Sequence, residues 1–244
     1  MATLDSSKAF GAAKRISTKN NVDFDTKRDV DDWGQFDEDW SFAIHEIPME
    51  FRSSTKFDNF VLAKQEEKEQ KFILKSKPYH IEIEPTNICN LHCPLCSTGV
   101  DAVTRPKVKL KLDNFKKLVD EVKDTALMIA LQNWGEPTLV KDLPKMIRYA
   151  TDARIWTHMS TNFSIEYSDE WIEELIKSGI GRLKIDLDGT TQEVYEKYRI
   201  GGKLETVLKN TRRVLEIKKE NNLKYPIIQA RMIATKKNEH QISD

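Results

Sequence analysis

From residue 79 onward, short stretches in which apolar and polar residues alternate are interleaved with longer ones in which apolar residues recur every three or four positions. Alternation is the period of a strand, and the wider spacing is the period of one face of a helix. Strands are predicted at 79–84, 127–132, 154–160, 182–188 and 227–235. Between them, Phe115, Leu118, Val119 and Val122 form one helical stripe, and Leu143, Met146, Ile147 and Ala150 a second. Trp171, Ile172, Leu175 and Ile176 form a third, with Ser168 placed to cap its start and Gly179 to end it. Leu204, Val207, Leu208, Thr211 and Leu215 form a fourth. Strands that alternate with helices in this way predict an α/β fold of about five βα units around a parallel sheet, because parallel neighbours need a crossover of about a dozen residues.

The alternation within the strands carries a second message. Strands buried in a parallel sheet are usually apolar on both faces, yet His80, Glu82 and Glu84 share one side of the first strand, opposite Ile81 and Ile83. His158, Ser160 and Asn162 share a side at the third strand, Lys184, Asp186 and Asp188 at the fourth, and Gln229 and Arg231 at the fifth. Helices covering the apolar side leave these polar groups lining a concave interior. Charged side chains are costly to enclose without partners, so this interior is expected to hold a polar ligand.

Upstream of residue 79 the pattern loses its regularity. Eight of the ten Phe lie in residues 1–78, with Trp33, Trp40, an acidic patch (Asp29, Asp31, Asp32, Asp37, Glu38, Asp39) and a charged run at 64–71 that reads as a solvated helix. Residues 1–78 are expected to be an irregular, partly disordered extension whose aromatics pack on the main domain or cover its substrate, with 1–22 mobile. Residues 79–244 are the expected core domain. Thirty-nine basic residues offset thirty-nine acidic ones, which leaves no overall field to hold a nucleic acid or an anionic membrane. No apolar run reaches the roughly 18 residues of a membrane span, and the N-terminus lacks the apolar core of a signal peptide. The expectation is a cytoplasmic protein with neither a membrane nor a nucleic acid as partner.

The chain has three cysteines, Cys89, Cys93 and Cys96, packed into eight residues directly after the first predicted strand. An odd, clustered set suits neither a disulfide framework nor scattered buried thiols. Three thiolates on one short loop can wrap a soft metal centre. In a cubane iron-sulfur cluster they would leave one iron open to a substrate or cofactor. The competing use is structural zinc, which normally takes four protein ligands; His92 adjoins Cys93 and is badly placed to point at the same ion.

The spacing Cys89-x3-Cys93-x2-Cys96 resembles the signature of the radical S-adenosylmethionine superfamily, which lies in the loop after the first strand of a partial α/β barrel. The run Glu84-Pro-Thr-Asn-Ile-Cys89 is similar to the branch that often carries SPASM or twitch extensions, although the further cysteines of auxiliary clusters are absent from this sequence. Other motifs follow in the superfamily's order. The resemblance implies that Gly135, Glu136 and Pro137 help hold the amino group of S-adenosylmethionine, and that Ser160 and Asn162 meet its ribose and methionyl parts. It also makes Asp186 and Asp188, at the end of the fourth strand, candidates to bind the cofactor, with Arg199, which follows where relatives often place an Arg near the cofactor carboxylate. Each has a plainer use: Gly135-Glu136-Pro137 and Asp188-Gly189 as turns, Asn162 as a loop residue, Arg199 as a partner for Glu193 or Glu196. Trp134 and Leu95 depart from the superfamily's usual Gly and aromatic residue, and neither is an expected iron ligand.

The function implied is that of an enzyme in which Cys89, Cys93 and Cys96 hold a 4Fe-4S cluster that binds S-adenosyl-L-methionine. Reductive cleavage of the cofactor would yield a 5′-deoxyadenosyl radical that abstracts hydrogen from a substrate, a peptide or small metabolite. Clusters of this kind reach about −400 mV, so a flavodoxin-like or ferredoxin-like electron donor is the implied partner. The alternative is a cysteine-ligated iron-sulfur or zinc module without cleavage chemistry. Relatives generally have six barrel strands, and the nine residues after 235 are too few for another strand and helix, so the core is expected to be incomplete at its C-terminal end.

Overall fold

Five strands pair side by side in the order of the chain, all parallel: β1 (His80–Ile83), β2 (Met128–Leu131), β3 (Trp156–Thr161), β4 (Arg182–Asp186) and β5 (Ile227–Arg231). The structure is a computed structural model that describes residues 47–243. The sheet is open, with β1 and β5 at its edges. Its crossovers carry helices α2 (Leu112–Val122), α3 (Leu143–Asp152), α4 (Asp169–Lys177), α5 (Gln192–Glu196) and α6 (Leu204–Glu220), and α1 (Ser54–Lys68) precedes the sheet. This is the expected partial α/β barrel. Among the described residues no helix is long and apolar enough to cross a membrane.

Strand periodicity divides the sheet as the sequence predicts. Ile129 and Leu131, Met159, and Leu183 and Ile185 point to the helix side, where they are buried against Phe115 and Val119 of α2, Met146 and Ile147 of α3, and Ile172 and Leu175 of α4. Full burial of one such side chain contributes about 1.5–3 kcal/mol, so the helix-side layer is the main source of cohesion. Ser168 caps α4 by accepting a hydrogen bond from Trp171 N, and Gly179 follows the helix at a φ of +91°, a conformation that glycine adopts without steric cost.

The last crossover helix departs from its predicted face. In α6 the buried positions are Leu204, Thr206, Val207, Asn210, Val214 and Ile217, while Leu215 is 49% exposed. The buried stripe is turned because Asn210 enters the core to donate from Nδ2 to the carbonyls of Phe163 and Ile165, 2.9 and 2.8 Å away. The fifth strand is also shorter than predicted. It stops at Arg231, beyond which Asn238 accepts from Thr235 N and donates to the Ile233 carbonyl, folding the chain into a turn.

The stretch before β1 is more than a solvated helix. α1 begins at Ser54, capped by Ser53, and buries Phe57 and Phe60. With Ile47 and Phe51 these residues pack on Leu127, Met128 and Trp156 at the N-terminal ends of the strands. Phe51 and Phe60 meet Trp156 and Tyr79 edge to face, with ring centroids 5.3 and 5.0 Å apart. Lys56 Nζ donates to the Arg154 carbonyl at 2.5 Å, and Arg154 Nε to that of Glu50 at 2.9 Å. These aromatics floor the barrel at the end away from the cysteine loop and cannot cover a ligand held there. Trp33, Trp40, the acidic patch and residues 1–22 lie outside the described residues.

Candidate functional site

The cysteine loop leaves the C-terminal end of β1 and is pinned on both sides. Thr86 Oγ1 donates to the Val108 carbonyl, Asn87 bonds the main chain at Pro106 and Val108, and Glu136 N donates to the Ile88 carbonyl. His92 N donates to the carbonyl of Ile200, so the ring of His92 is not needed to anchor the loop. Two glycines permit the packing. A Cβ at Gly99 would lie 2.3 Å from the Cys93 carbonyl oxygen, and one at Gly135 would lie 1.7 Å from that of Thr86. Both obstacles are backbone, so neither position accepts a side chain without moving the loop.

Cys89, Cys93 and Cys96, all free thiols, line a cavity of about 210 Å³ at the C-terminal ends of the strands. Gly135, Glu136, Ser160, Asn162, Asp186 and Arg199 line it too, so nine of the eleven residues expected from the sequence meet there. Pro137 and Asp188 do not. Pro137 opens a short 3-10 turn, Pro137–Leu139, and is buried behind the lining. Asp188 is wholly buried, accepting from Ile233 N at 2.7 Å and from Arg199 Nε, so it braces the corner after β4. Larger grooves lie between α3 and α4 and beside α1, at about 600 and 1000 Å³, but neither gathers thiols.

Several expected ligands are already engaged with protein. The Glu136 carboxylate accepts four hydrogen bonds: from Thr138 N, Thr138 Oγ1 and Thr161 Oγ1 on one oxygen, and from Asn162 N at 2.8 Å on the other. Tyr167 hydroxyl stands 2.5 Å from Thr138 Oγ1, whose proton already points to Glu136. Asn162 Nδ2 donates to Asn90 Oδ1 at 3.0 Å and reaches Cys89 Sγ at 3.7 Å. Ser160 Oγ donates to Gln132 Oε1 at 3.0 Å. Arg199 bonds neither Glu193 nor Glu196; it lies between Asp186 and Asp188, and its Nη1 reaches Cys93 Sγ at 3.7 Å.

Gln132, Trp134, Tyr198, Arg231 and Ile233 also face the cavity and were not singled out as site residues from the sequence. Arg231 holds Asp186 Oδ1 from Nε and Nη2 at 2.9 and 2.7 Å. Its place on the polar side of the fifth strand was the available signal; the ion pair depends on the β4–β5 register that sets Asp186 beside Arg231.

Burial governs the titration of the site. It pushes the Cys89 thiol up to about 11, against a hydrogen bond from Leu91 N, and raises Cys93 against the opposing pull of Arg199. Without a metal these two thiols hold their protons at neutral pH, and binding as thiolates releases them. Burial also raises Glu136, opposed by its four donors. Burial works against the charge of Arg199, but Asp186, Asp188 and Cys93 together outweigh it and keep the guanidinium protonated.

Three thiols on one loop, with no fourth cysteine in the sequence, suit a cluster that leaves one iron open better than the four-ligand shell of structural zinc. Among the described residues no three Cys, His, Asp or Glu side chains converge as ligands of one metal. A mononuclear zinc site needs its sulfurs about 2.3 Å from a common centre, whereas a cluster presents a separate iron to each thiolate. Fold and site thus define an α/β partial barrel that gathers three thiols and the polar ends of its strands around one cavity. The sequence profile of the Radical SAM superfamily matches residues 83–229, and the chain belongs to that superfamily. The superfamily's cofactors are a 4Fe-4S cluster and S-adenosylmethionine.

An AdoMet-dependent heme synthase of Methanosarcina barkeri is 31% identical over 126 residues, covering 52% of this chain and 36% of that protein. A PqqA peptide cyclase of Rhodopseudomonas palustris is 28% identical over 125 residues, covering 51% and 32%. The match thus spans about a third of the length of these two curated relatives. The crystal structure of Streptococcus suis SuiB bound to S-adenosylmethionine superposes with a TM-score of 0.58 at 19% identity, over 75% of this chain and 40% of that one. That likeness is one of fold.

Proposed function

We propose that this chain is a radical S-adenosylmethionine enzyme in which Cys89, Cys93 and Cys96 each hold one iron of a 4Fe-4S cluster and the cavity-facing strand ends hold S-adenosylmethionine beside it. The observation that carries this reading is the opening of three thiols from one loop onto the cavity where β2, β3, β4 and β5 end. When bound, the pair supplies an electron-driven cleavage of the sulfonium to methionine and a 5′-deoxyadenosyl radical able to take hydrogen from an organic substrate.

The chain's own residues bind and orient. Gly135 brings the β2 loop against the cysteine loop, and its main chain, with that of Trp134, offers acceptors for the cofactor's amino group. The Glu136 carboxylate, held by Thr138, Thr161 and Asn162, fixes the ends of β2 and β3 against each other at the cavity wall. Ser160 and Gln132 present a bonded polar pair to the cavity, and Asn162 steadies Cys89. Trp134, 42% exposed, stands on the lining where it can restrict water once a substrate arrives. The substrate is a peptide or a small metabolite, and a flavodoxin-like or ferredoxin-like protein delivers the electron. A relative named for its peptide, the PqqA peptide cyclase, supports the peptide side of that choice.

Anaerobic reconstitution with iron and sulfide tests the assignment. The chain is expected to take up equal iron and acid-labile sulfide with a broad visible absorbance, and Cys93→Ala to lose it. Stoichiometric zinc without visible absorbance after anaerobic purification, or an unchanged cluster spectrum in Cys93→Ala, would show the ligand assignment to be wrong.

A further inference from the structure

We propose that Arg199 is a positioning residue for the cluster: clamped by Asp186 and Asp188, it sets a fixed positive charge against Cys93 and so makes the cluster easier to reduce. This rests on the cluster reading above and goes beyond it. Each nitrogen of the guanidinium has its own partner, with Nε on Asp188 Oδ2, Nη2 at 3.2 Å from Asp186 Oδ2 and Nη1 at 3.7 Å from Cys93 Sγ. The clamp is itself held, because Asp188 accepts from Ile233 N and Asp186 from Arg231. Arg199 is 8% exposed, so it cannot exchange these contacts for water.

The three thiols are treated unequally. Cys89 accepts from neutral donors, Leu91 N at 3.5 Å and Asn162 Nδ2 at 3.7 Å, and the Cys96 thiol meets an acceptor, the Trp134 carbonyl, at 3.7 Å. Of the three thiols, Cys93 is the one whose hydrogen-bond partner carries a full positive charge, and in a poorly solvated setting that charge acts strongly. Hydrogen bonds to the sulfurs and local charge are among the factors that set a cluster's potential, and reduction adds an electron that a nearby cation favours. An arginine that only braced the corner after β4 would affect stability and leave the potential alone.

The full chain, loaded anaerobically with iron and sulfide, is titrated with dithionite in the presence of redox mediators and without S-adenosylmethionine, and the reduced cluster is followed by electron paramagnetic resonance. Arg199→Gln is expected to lower the equilibrium constant for reduction about tenfold, or about 59 mV for a one-electron couple. Arg199→Lys, which keeps the charge, is expected to recover most of that loss. Asp186→Asn keeps Arg199 and its Asp188 contact while removing a negative charge, and is expected to shift the potential upward. A loaded Arg199→Gln protein with an unmoved potential overturns the proposal. So does a variant whose only defect is weaker S-adenosylmethionine binding, since Arg199 would then be a cofactor ligand. If Arg199→Gln does not accumulate as folded protein, Asp186→Asn decides: an upward shift supports the proposal, and no shift or a downward one overturns it. A wild-type chain that takes up no cluster overturns the cluster reading itself, and this proposal with it.

Discussion

His158 sits on the inner face of β3, 9% exposed, its ring 6.2 Å from that of His80 and its Nδ1 without a hydrogen-bond partner. Burial, then the charges of Lys184, His80 and Arg182, push its pKa down to about 3. The unfolded chain, with His near 6.5, therefore binds more protons than the folded one between those values. The stability contribution of a neutral His158 is complete above about pH 6.5 and is lost as the pH falls toward 3. His158→Gln is expected to flatten this acid limb in denaturant midpoints measured across that range; an unchanged limb would assign it to other groups. Glu136→Gln turns an acceptor-only group into one that presents an amide to several donors, and should cost about 1–3 kcal/mol in urea unfolding. The cysteines and Gly135 were legible because their chemistry or tight spacing is local. The bracing of Glu136 was not, because Thr161 and Asn162 lie 25 and 26 residues away and meet it only through the fold.

Local patterns were enough to place all five strands, though not the end of the fifth, and three of the four predicted crossover helices, where apolar spacing and a Ser cap carry the signal. They placed the start of the buried stripe of α6 at Leu204 and Val207 but missed its later course, since a hydropathy pattern does not anticipate that Asn210 will enter the core to satisfy two carbonyls. α1 was read from its charged end alone. Its buried face rests on Phe57 and Phe60, and Tyr79, the ring partner of Phe60, and Trp156 of the same apolar cluster are brought near by the return of the chain. Phe60→Ala should therefore destabilise the protein by about 3–5 kcal/mol in equilibrium unfolding. Because α1 floors the end of the barrel away from the cysteines, the protein that remains folded should still load its cluster with the wild-type absorbance.

At the scale of the molecule, five parallel strands and the helices between them carry motifs spread from Cys89 to Arg231 to one end of one sheet, where they share a cavity. That convergence gives the separate motifs a common meaning: a turn at Gly135, a loop Asn at 162 and an aspartate at 186 are each unremarkable in sequence, and the parallel order of the strands sets them beside three thiols. The balance of thirty-nine basic and thirty-nine acidic residues fits an interior that pairs its charges locally, as Asp186 does with two arginines. The most direct test of the central claim is to load the chain anaerobically with its cluster, reduce it in the presence of S-adenosylmethionine and measure 5′-deoxyadenosine chromatographically. The wild-type chain is expected to form 5′-deoxyadenosine and Cys93→Ala to form none. An intact cluster that binds S-adenosylmethionine, accepts the electron and yields no 5′-deoxyadenosine would contradict that claim.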